Sequence, residues 1–330
     1  MNRRDAVLGL AAIWGAGVSF GLAAQQPARI WRIGVLSATP RPASLNASNY
    51  GAFLQGMREL GYEEGKNIEV DWRFADGMLE NLASLAADLA RLKLDVIVAT
   101  SGTAVRAAQK ATASIPIVMT TTGDPVGNGF IKSFAIPGGN ITGSALFAVD
   151  LMAKHLEMLL SVVPKLTRVA VLGNPAGPNY VKSLESVRTE AQKRRIAILP
   201  VEARSAAEIE PAFARMKREK AGAVIVVLNP VFFASARLIG QLVVKYRLPS
   251  VAGIPDYVTA GGLISYGSSF TENYRRAASY TDRILKGALP GDLPVEQPTK
   301  LDLFINGKTA RMLGLKIPQS LLISADKVIE

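Results

Sequence analysis

Apolar positions along this chain follow two alternating rhythms, short unbroken runs and longer stretches at helical spacing. Arg32 to Leu36 reads as a first strand, and the following loop, SATPRPASLN, carries two prolines that exclude regular structure. Tyr50, Phe53, Leu54, Met57 and Leu60 then share one helical face, closed by Gly61. Ile68 to Phe74 alternates as a second strand, and Leu82, Leu85, Ala86, Leu89 and Leu92 mark a second helix. The next stretch, LDVIVATSGTAVRAAQ from Leu94 to Gln109, is the centre of the pattern. Its run Val96, Ile97, Val98 suits a parallel strand covered on both faces, and Ser101, Gly102 and Thr103 lead into a helix that ends before Pro116. Ile117 to Met119 supplies a fourth strand. Strands alternating with helices and joined by right-handed crossovers make an open, mostly parallel α/β sheet.

Beyond Gly143 the rhythm restarts, so two similar halves are expected. A helix over Leu151 to Val163 leads to a strand at Val169 to Leu172 and to a helix on Val181, Leu184, Val187 and Ala191. Ile196 to Val201 is a strand, and Ser205 with Glu208 forms a capping box before Ile209, Phe213 and Met216. Val224 to Leu228, a helix to Tyr246, Ser250 to Ala252, and Leu263 to Tyr266 complete a second sheet. A long helix from Phe270 stops at Gly287, and Pro290 to Pro298 reads as a linker. The tail adds a strand at Leu301 to Ile305 and a short helix stopped by Gly314.

Ligands of open α/β sheets gather beyond the carboxyl ends of the strands. The loops there are small and polar in both halves: Ser37 and Thr39; Ser101, Gly102 and Thr103; Thr122 and Asp124; Asn174 and Asn179; Asn229; Asp256 and Tyr257. At Ser101 to Thr103 a helix N-terminus offers unpaired amides and roughly half a positive charge to an anion. The plainer alternative is that Ser101 or Thr103 only caps the helix. Asp256, with Asp124 as a second candidate, would pair with an amine, the asparagines would supply neutral hydrogen bonds, and Tyr257 could stack on a flat ligand. Asn174-Pro175 and Asp124-Pro125 also suit a plain turn and a plain helix entry.

Catalytic signatures are sparse. No GxGxxG follows the first strand, and Gly307, Lys308 and Thr309 lack the first glycine of a P-loop, since Asp302 stands there. Leu263 occupies the glycine position that a nucleophile elbow at Ser265 would need. The single histidine, His155, falls within a helix and the chain has no cysteine, which argues against a metal centre or a Ser-His triad. Asp124 and Asp256 as a hydrolytic carboxylate pair remain an alternative. Binding without chemistry, with no cofactor, fits better.

Composition changes the picture at the N-terminus. Arg3 and Arg4 precede an apolar run from Ala6 to Leu22, with Ala23 and Ala24 before Gln25, the layout of a signal peptide cleaved near Ala24. The arginine pair admits twin-arginine export as well as the general route. Without cysteine there is no lipoprotein anchor, so a soluble periplasmic protein is expected. The formal charge of +11 over 330 residues is spread along many helices without a basic run interleaved with aromatics, so no nucleic-acid partner is expected.

Several segments then resemble a known family. FLQGMRELGYEEGKNIEVDWRFADG (Phe53 to Gly77), LDVIVATSGTAVRAAQ, GDPVGNGFIKSFAIPGGNITG (Gly123 to Gly143), GGLISYGSS (Gly261 to Ser269) and YTDRILKGALPGDLPVEQPTKLDLFINGKTARMLGL (Tyr280 to Leu315) are similar to bacterial ABC-transporter substrate-binding proteins with tryptophan- and phenylalanine-binding members. The resemblance runs from about Arg32 to Glu330. It implies a type I periplasmic-binding-protein fold, two Rossmann-like lobes with parallel sheets joined by a three-strand hinge. The N-terminal lobe would comprise residues 30–146 and 268–290, and the C-terminal lobe residues 147–267 and 291–330. It also implies a small-molecule ligand held between the lobes of a monomer and delivery to an ABC permease with its ATPase. The same loops named above would hold that ligand. A sensor passing a signal to a receptor or kinase is the alternative role for this fold. One departure stands out: aromatic-amino-acid binders carry a His-Pro pair after the first strand, where this chain has Ser37-Ala38-Thr39-Pro40.

Overall fold

The computed structural model describes residues 29–330, so the expected signal peptide lies outside the described residues. The first half builds a parallel sheet in the order β2-β1-β3-β4-β5. Its strands are β1 (Trp31–Ser37), β2 (Ile68–Phe74), β3 (Val96–Ala99), β4 (Ile117–Gly123) and β5 (Ile141–Leu146). The helices of this half are α1 (Asn49–Glu59), α2 (Leu82–Arg91) and α3 (Gly102–Ala111). Strand alternation splits the core into two layers. Ile97 and Ala99 pack with Ala86 and Leu89 of α2 and Ala104, Val105 and Ala108 of α3. Val96 and Val98 face the other way, toward Phe53 and Met57 of α1. Burial on both faces is why these strands read as unbroken apolar runs.

The second half forms a sheet in the order β12-β11-β10-β9-β8-β6-β7. Its earlier strands are β6 (Arg168–Gly173), β7 (Ala197–Glu202), β8 (Ala223–Val226), β9 (Ser250–Ala252) and β10 (Ile264–Gly267). Helices α4 (Met152–Val162), α5 (Tyr180–Lys193), α6 (Ala206–Arg218), α7 (Pro230–Ala234), α8 (Ala236–Tyr246) and α9 (Pro255–Thr259) connect or cover them. After α10 (Phe270–Leu285), the tail adds β11 (Asp302–Asn306), α11 (Gly307–Leu313), α12 (Gln319–Ser324) and β12 (Lys327–Ile329). β11 runs antiparallel to β10, with Ile264 opposite Ile305, and the other pairings are parallel.

The chain crosses between the sheets three times: after β5, between β10 and α10, and after Glu296. Ser269 caps α10 by accepting from Glu272 N, and the helix then packs against α1 of the first half. Gly56 permits that approach, since a Cβ there would lie 2.8 Å from Ala278 Cβ. Tyr62 Oη donates to Asp282 Oδ1 at 3.0 Å across the same contact. The stretch expected to be a plain linker instead lies along β5: Ala145 N donates to Glu296 O at 2.9 Å and Glu296 N to Gly143 O at 3.1 Å.

Several local expectations differ from the fold. β4 continues to Gly123, beyond the expected Met119, and β5, α9, α12 and β12 are additional elements. The helix ending at Tyr246 is two helices broken at Ser235. The capping box at Ser205 is incomplete, because the serine accepts no amide and Glu208 Oε2 reaches Arg204 N at 2.9 Å. Among the described residues no helix is long and apolar enough to cross a membrane.

Candidate functional site

The carboxyl ends of the two sheets face each other across a cavity of about 580 Å³. Thr39, Ser101, Gly102, Thr103, Asn174, Asn179, Asn229 and Asp256 all line it. Four other expected residues, Ser37, Thr122, Asp124 and Tyr257, do not.

At the end of β3, Ser101 Oγ accepts from Ala104 N at 3.2 Å and lies 2.9 Å from Thr103 Oγ1. Ser101 is thus both a helix cap and a wall of the cavity. The amides of Gly102 and Thr103 belong to the first turn of α3, where no intrahelical carbonyl precedes them. With the helix dipole and two hydroxyls, this corner is suited to a carboxylate.

The second half contributes loops whose amides are held by their own turns. Asn174 Oδ1 accepts from Ala176 N at 2.9 Å, and Asn229 Oδ1 caps α7 by accepting from Val231 N at 3.0 Å. Asn179 Oδ1 accepts from Asn128 Nδ2 at 2.8 Å. Asp256 opens α9 and is exposed at the cavity, while protein atoms crowd the far side of its carboxylate. That surrounding burial pushes its carboxyl above the usual range, and a hydrogen bond with Asn49 opposes the rise. A carboxylate with reduced hydration gains from a cation placed beside it.

Tyr257 is a correction. Its ring is 2% exposed, its hydroxyl donates to Ser250 Oγ at 2.6 Å, and a Cβ on Gly262 would collide with it at 2.1 Å. It belongs to the core below α9 and cannot stack on a cavity ligand. Asp124 is likewise turned away: Oδ1 accepts from Gly127 N at 2.8 Å and Oδ2 pairs with Lys182, so no carboxylate pair with Asp256 forms in the cavity. On β4 the alternation puts Thr121 at the cavity, its hydroxyl donating to Thr100 O at 2.6 Å, and buries Thr122. Ser37 stands behind Thr39, with its Oγ 2.6 Å from Tyr50 Oη and 3.0 Å from Thr39 Oγ1.

Other lining residues were not singled out from sequence, above all the aromatics Tyr50, Tyr274, Phe233 and Phe270. Tyr50 meets Tyr274 edge to face with ring centroids 5.3 Å apart, and packs the same way on Trp72 and Phe74. Burial, first, and then the nearby Tyr50 hydroxyl push the Tyr274 phenol well above its usual value, so it stays protonated. Tyr50 carries the periodic signal of an amphipathic helix, which does not distinguish a core position from a cavity wall. The site thus has an anion corner, a carboxylate and an apolar wall, without an assembled nucleophile and base. His155 lies elsewhere, buried with Nε2 2.7 Å from Tyr266 O. Among the described residues no cluster of His, Asp and Glu is arranged to hold a metal ion.

Comparison with known proteins agrees with this architecture. A tyrosine-binding protein of Clostridioides difficile is 26% identical over 297 residues, which is 90% of this chain and 83% of that protein. A conserved domain protein of Vibrio cholerae superposes with a TM-score of 0.83 at 27% identity, covering 91% of this chain and all of that one (100%). A domain from Streptococcus pneumonia in complex with L-Trp gives 0.82 at 24% identity, covering 91% of this chain and 100% of that one. A ligand-free, open substrate-binding protein from Clostridium difficile gives only 0.63 at the same 24% identity, covering 91% and 99%. The family described as ABC transporter substrate binding protein matches residues 32–329. The family match and the tyrosine-binding relative are those of binding proteins rather than enzymes. A two-lobed α/β chain with a cavity between its sheets, matched along nearly its whole described length, belongs to the ABC transporter substrate-binding protein family.

Proposed function

We propose that this chain is the extracytoplasmic solute-binding component of an ABC importer and closes on an amino-acid-like solute bearing a carboxylate, an amine and an apolar side chain. One observation carries the reading: the N-terminus of α3 and the Asp256 carboxylate line one cavity from opposite lobes. An anion and a cation on one small molecule would bind both lobes at once and favour closure. Phe233, Phe270, Tyr50 and Tyr274 form the apolar wall that such a side chain would meet.

The tyrosine-binding relative and the L-Trp complex support an amino-acid class. The better superposition on the L-Trp complex than on the open protein, at equal identity, supports a closed arrangement of the lobes here. Ser37-Ala38-Thr39-Pro40 in place of a His-Pro pair points to a solute other than tryptophan or phenylalanine. The expected lobe boundary at residue 290 is moved here to 296, since Leu293 and Val295 pack in the first core, which makes one lobe of residues 30–146 with 268–296 and another of 147–267 with 297–330. The Arg3-Arg4 start and apolar run expected to form a signal peptide favour a periplasmic location, and membership of the substrate-binding family favours delivery to a permease and its ATPase.

A thermal-shift panel tests the function. An L-amino acid is expected to raise the melting temperature, and its decarboxylated and deaminated analogues are expected to raise it far less. Equal shifts with either charged group missing would refute the two-ended recognition.

A further inference from the structure

The loop after β4 and the start of α5 meet across the cleft beside the cavity. Asp124 is ion-paired with Lys182, and Asn128 Nδ2 donates both to Asn179 Oδ1 at 2.8 Å and to Gly123 O at 3.0 Å. Asp124, Asn128 and Lys182 do not line the cavity, so these bonds join the lobes without a solute between them.

Both ends of the contact stand on firm structure. On the first lobe, Arg106 Nη2 donates to Asn128 O at 2.5 Å and Gln109 Nε2 to Gly129 O at 2.8 Å, which fastens the loop to α3. The Arg106 guanidinium also lies 4.5 Å from the Phe130 ring centre. Asp124 takes a positive φ of 44°, and its Oδ1 is occupied by Gly127 N while Oδ2 meets the opposite lobe. On the second lobe, Asn179 and Lys182 are one helical turn apart at the start of α5. The helix that carries Thr103 therefore also carries the Asn128 loop, and the segment that places Asn179 in the cavity also places Lys182 outside it.

We propose that Asp124, Asn128 and Lys182 form an interlobe clasp that populates the closed arrangement without solute and raises apparent affinity without touching what is bound. The proposal rests on the closing motion described above and not on the identity of the solute. Bonds made only in the closed form act wholly on the closing equilibrium, and apparent affinity follows the fraction of closed protein. The ion pair is partly exposed, so its effect is modest and is weakened by salt.

Because the chain has no cysteine, Lys110→Cys on α3 and Gln192→Cys on α5 can carry spin labels at exposed positions. Distances between them are measured in solute-free protein, refolded after denaturation to strip any trapped molecule. The wild type is expected to show a short-distance, closed component. Asp124→Asn and Lys182→Gln should each reduce it about fivefold, and the double substitution should add little. High salt should reduce it in the wild type and leave the single variants nearly unchanged. Asparagine tolerates the positive φ of position 124 and can still accept from Gly127 N, and position 182 lies on a helix surface, so thermal midpoints should hold. A wild-type distribution with no short component, or one that Lys182→Gln leaves unaltered, overturns the clasp. A failed solute panel would leave these distances unaffected, which separates the two results.

Discussion

Pro178 Cγ of one lobe lies 3.0 Å from the position that a Cβ on Gly102 of the other lobe would occupy. Gly102 opens α3 at the anion corner, and Pro178 precedes Asn179 on the loop after β6. The absence of a side chain at this point lets the two cavity walls come together.

Gly102→Ala is accordingly expected to weaken solute binding about tenfold by resisting closure. The melting temperature of the solute-free protein should barely change, because alanine suits the first turn of a helix. Calorimetry with the best solute from the panel, alongside melting curves without it, separates the two effects. Wild-type affinity in this variant would show that the lobes absorb a methyl group.

Asp256→Asn is expected to lower affinity for an amine-bearing solute about a hundredfold or more, and to leave the deaminated analogue nearly unaffected. The pH dependence has a definite sign. Burial raises the folded-state pKa of Asp256, so the folded form favours the protonated acid. Its relative stabilising contribution is present below the ordinary value of 3.8 and is lost as pH rises through the raised folded value. The solute-free Asp256→Asn variant should therefore melt higher than the wild type at neutral pH, with the two converging in acid. Melting curves across that range check it, and a wild type that melts higher at neutral pH would contradict the assignment.

His155 supplies the opposite case. Desolvation lowers its pKa from 6.5 to about 4, against a backbone hydrogen bond to Tyr266 that raises it. The unfolded chain takes up a proton below 6.5 while the folded chain resists, so stability is full above 6.5 and declines as pH falls toward about 4. The loss attributable to this residue is on the order of 3 kcal/mol. Between neutral pH and pH about 4, denaturant titrations should show the wild type losing about 3 kcal/mol more unfolding free energy than His155→Gln, and equal losses in the two proteins would refute it.

Much of the fold is legible in local pattern. Ile68 to Phe74 alternates in the sequence and is β2 in the structure, and the unbroken Val96, Ile97, Val98 run is a strand buried on both faces. The strand ends named loops that mostly line the cavity, because in a parallel sheet the direction of every strand is fixed once its crossovers are known. Within those loops, identity was not enough. Asp256 and Tyr257 are neighbours on one short helix, yet one reaches the cavity and the other fills the core, and both are polar enough for either place.

By itself, the sequence determined the alternation of strands and helices, the division into two halves, the positions where polar loops end strands, and the family. Tertiary structure alone decided that Tyr50 meets Tyr274, that the 293–296 stretch returns along β5, and that Asp124 serves the seam between lobes rather than the cavity. The reason is physical: periodicity records which face of an element avoids water, a local property of the chain. Which surface meets that face depends on packing between segments far apart in sequence, and no local pattern carries it.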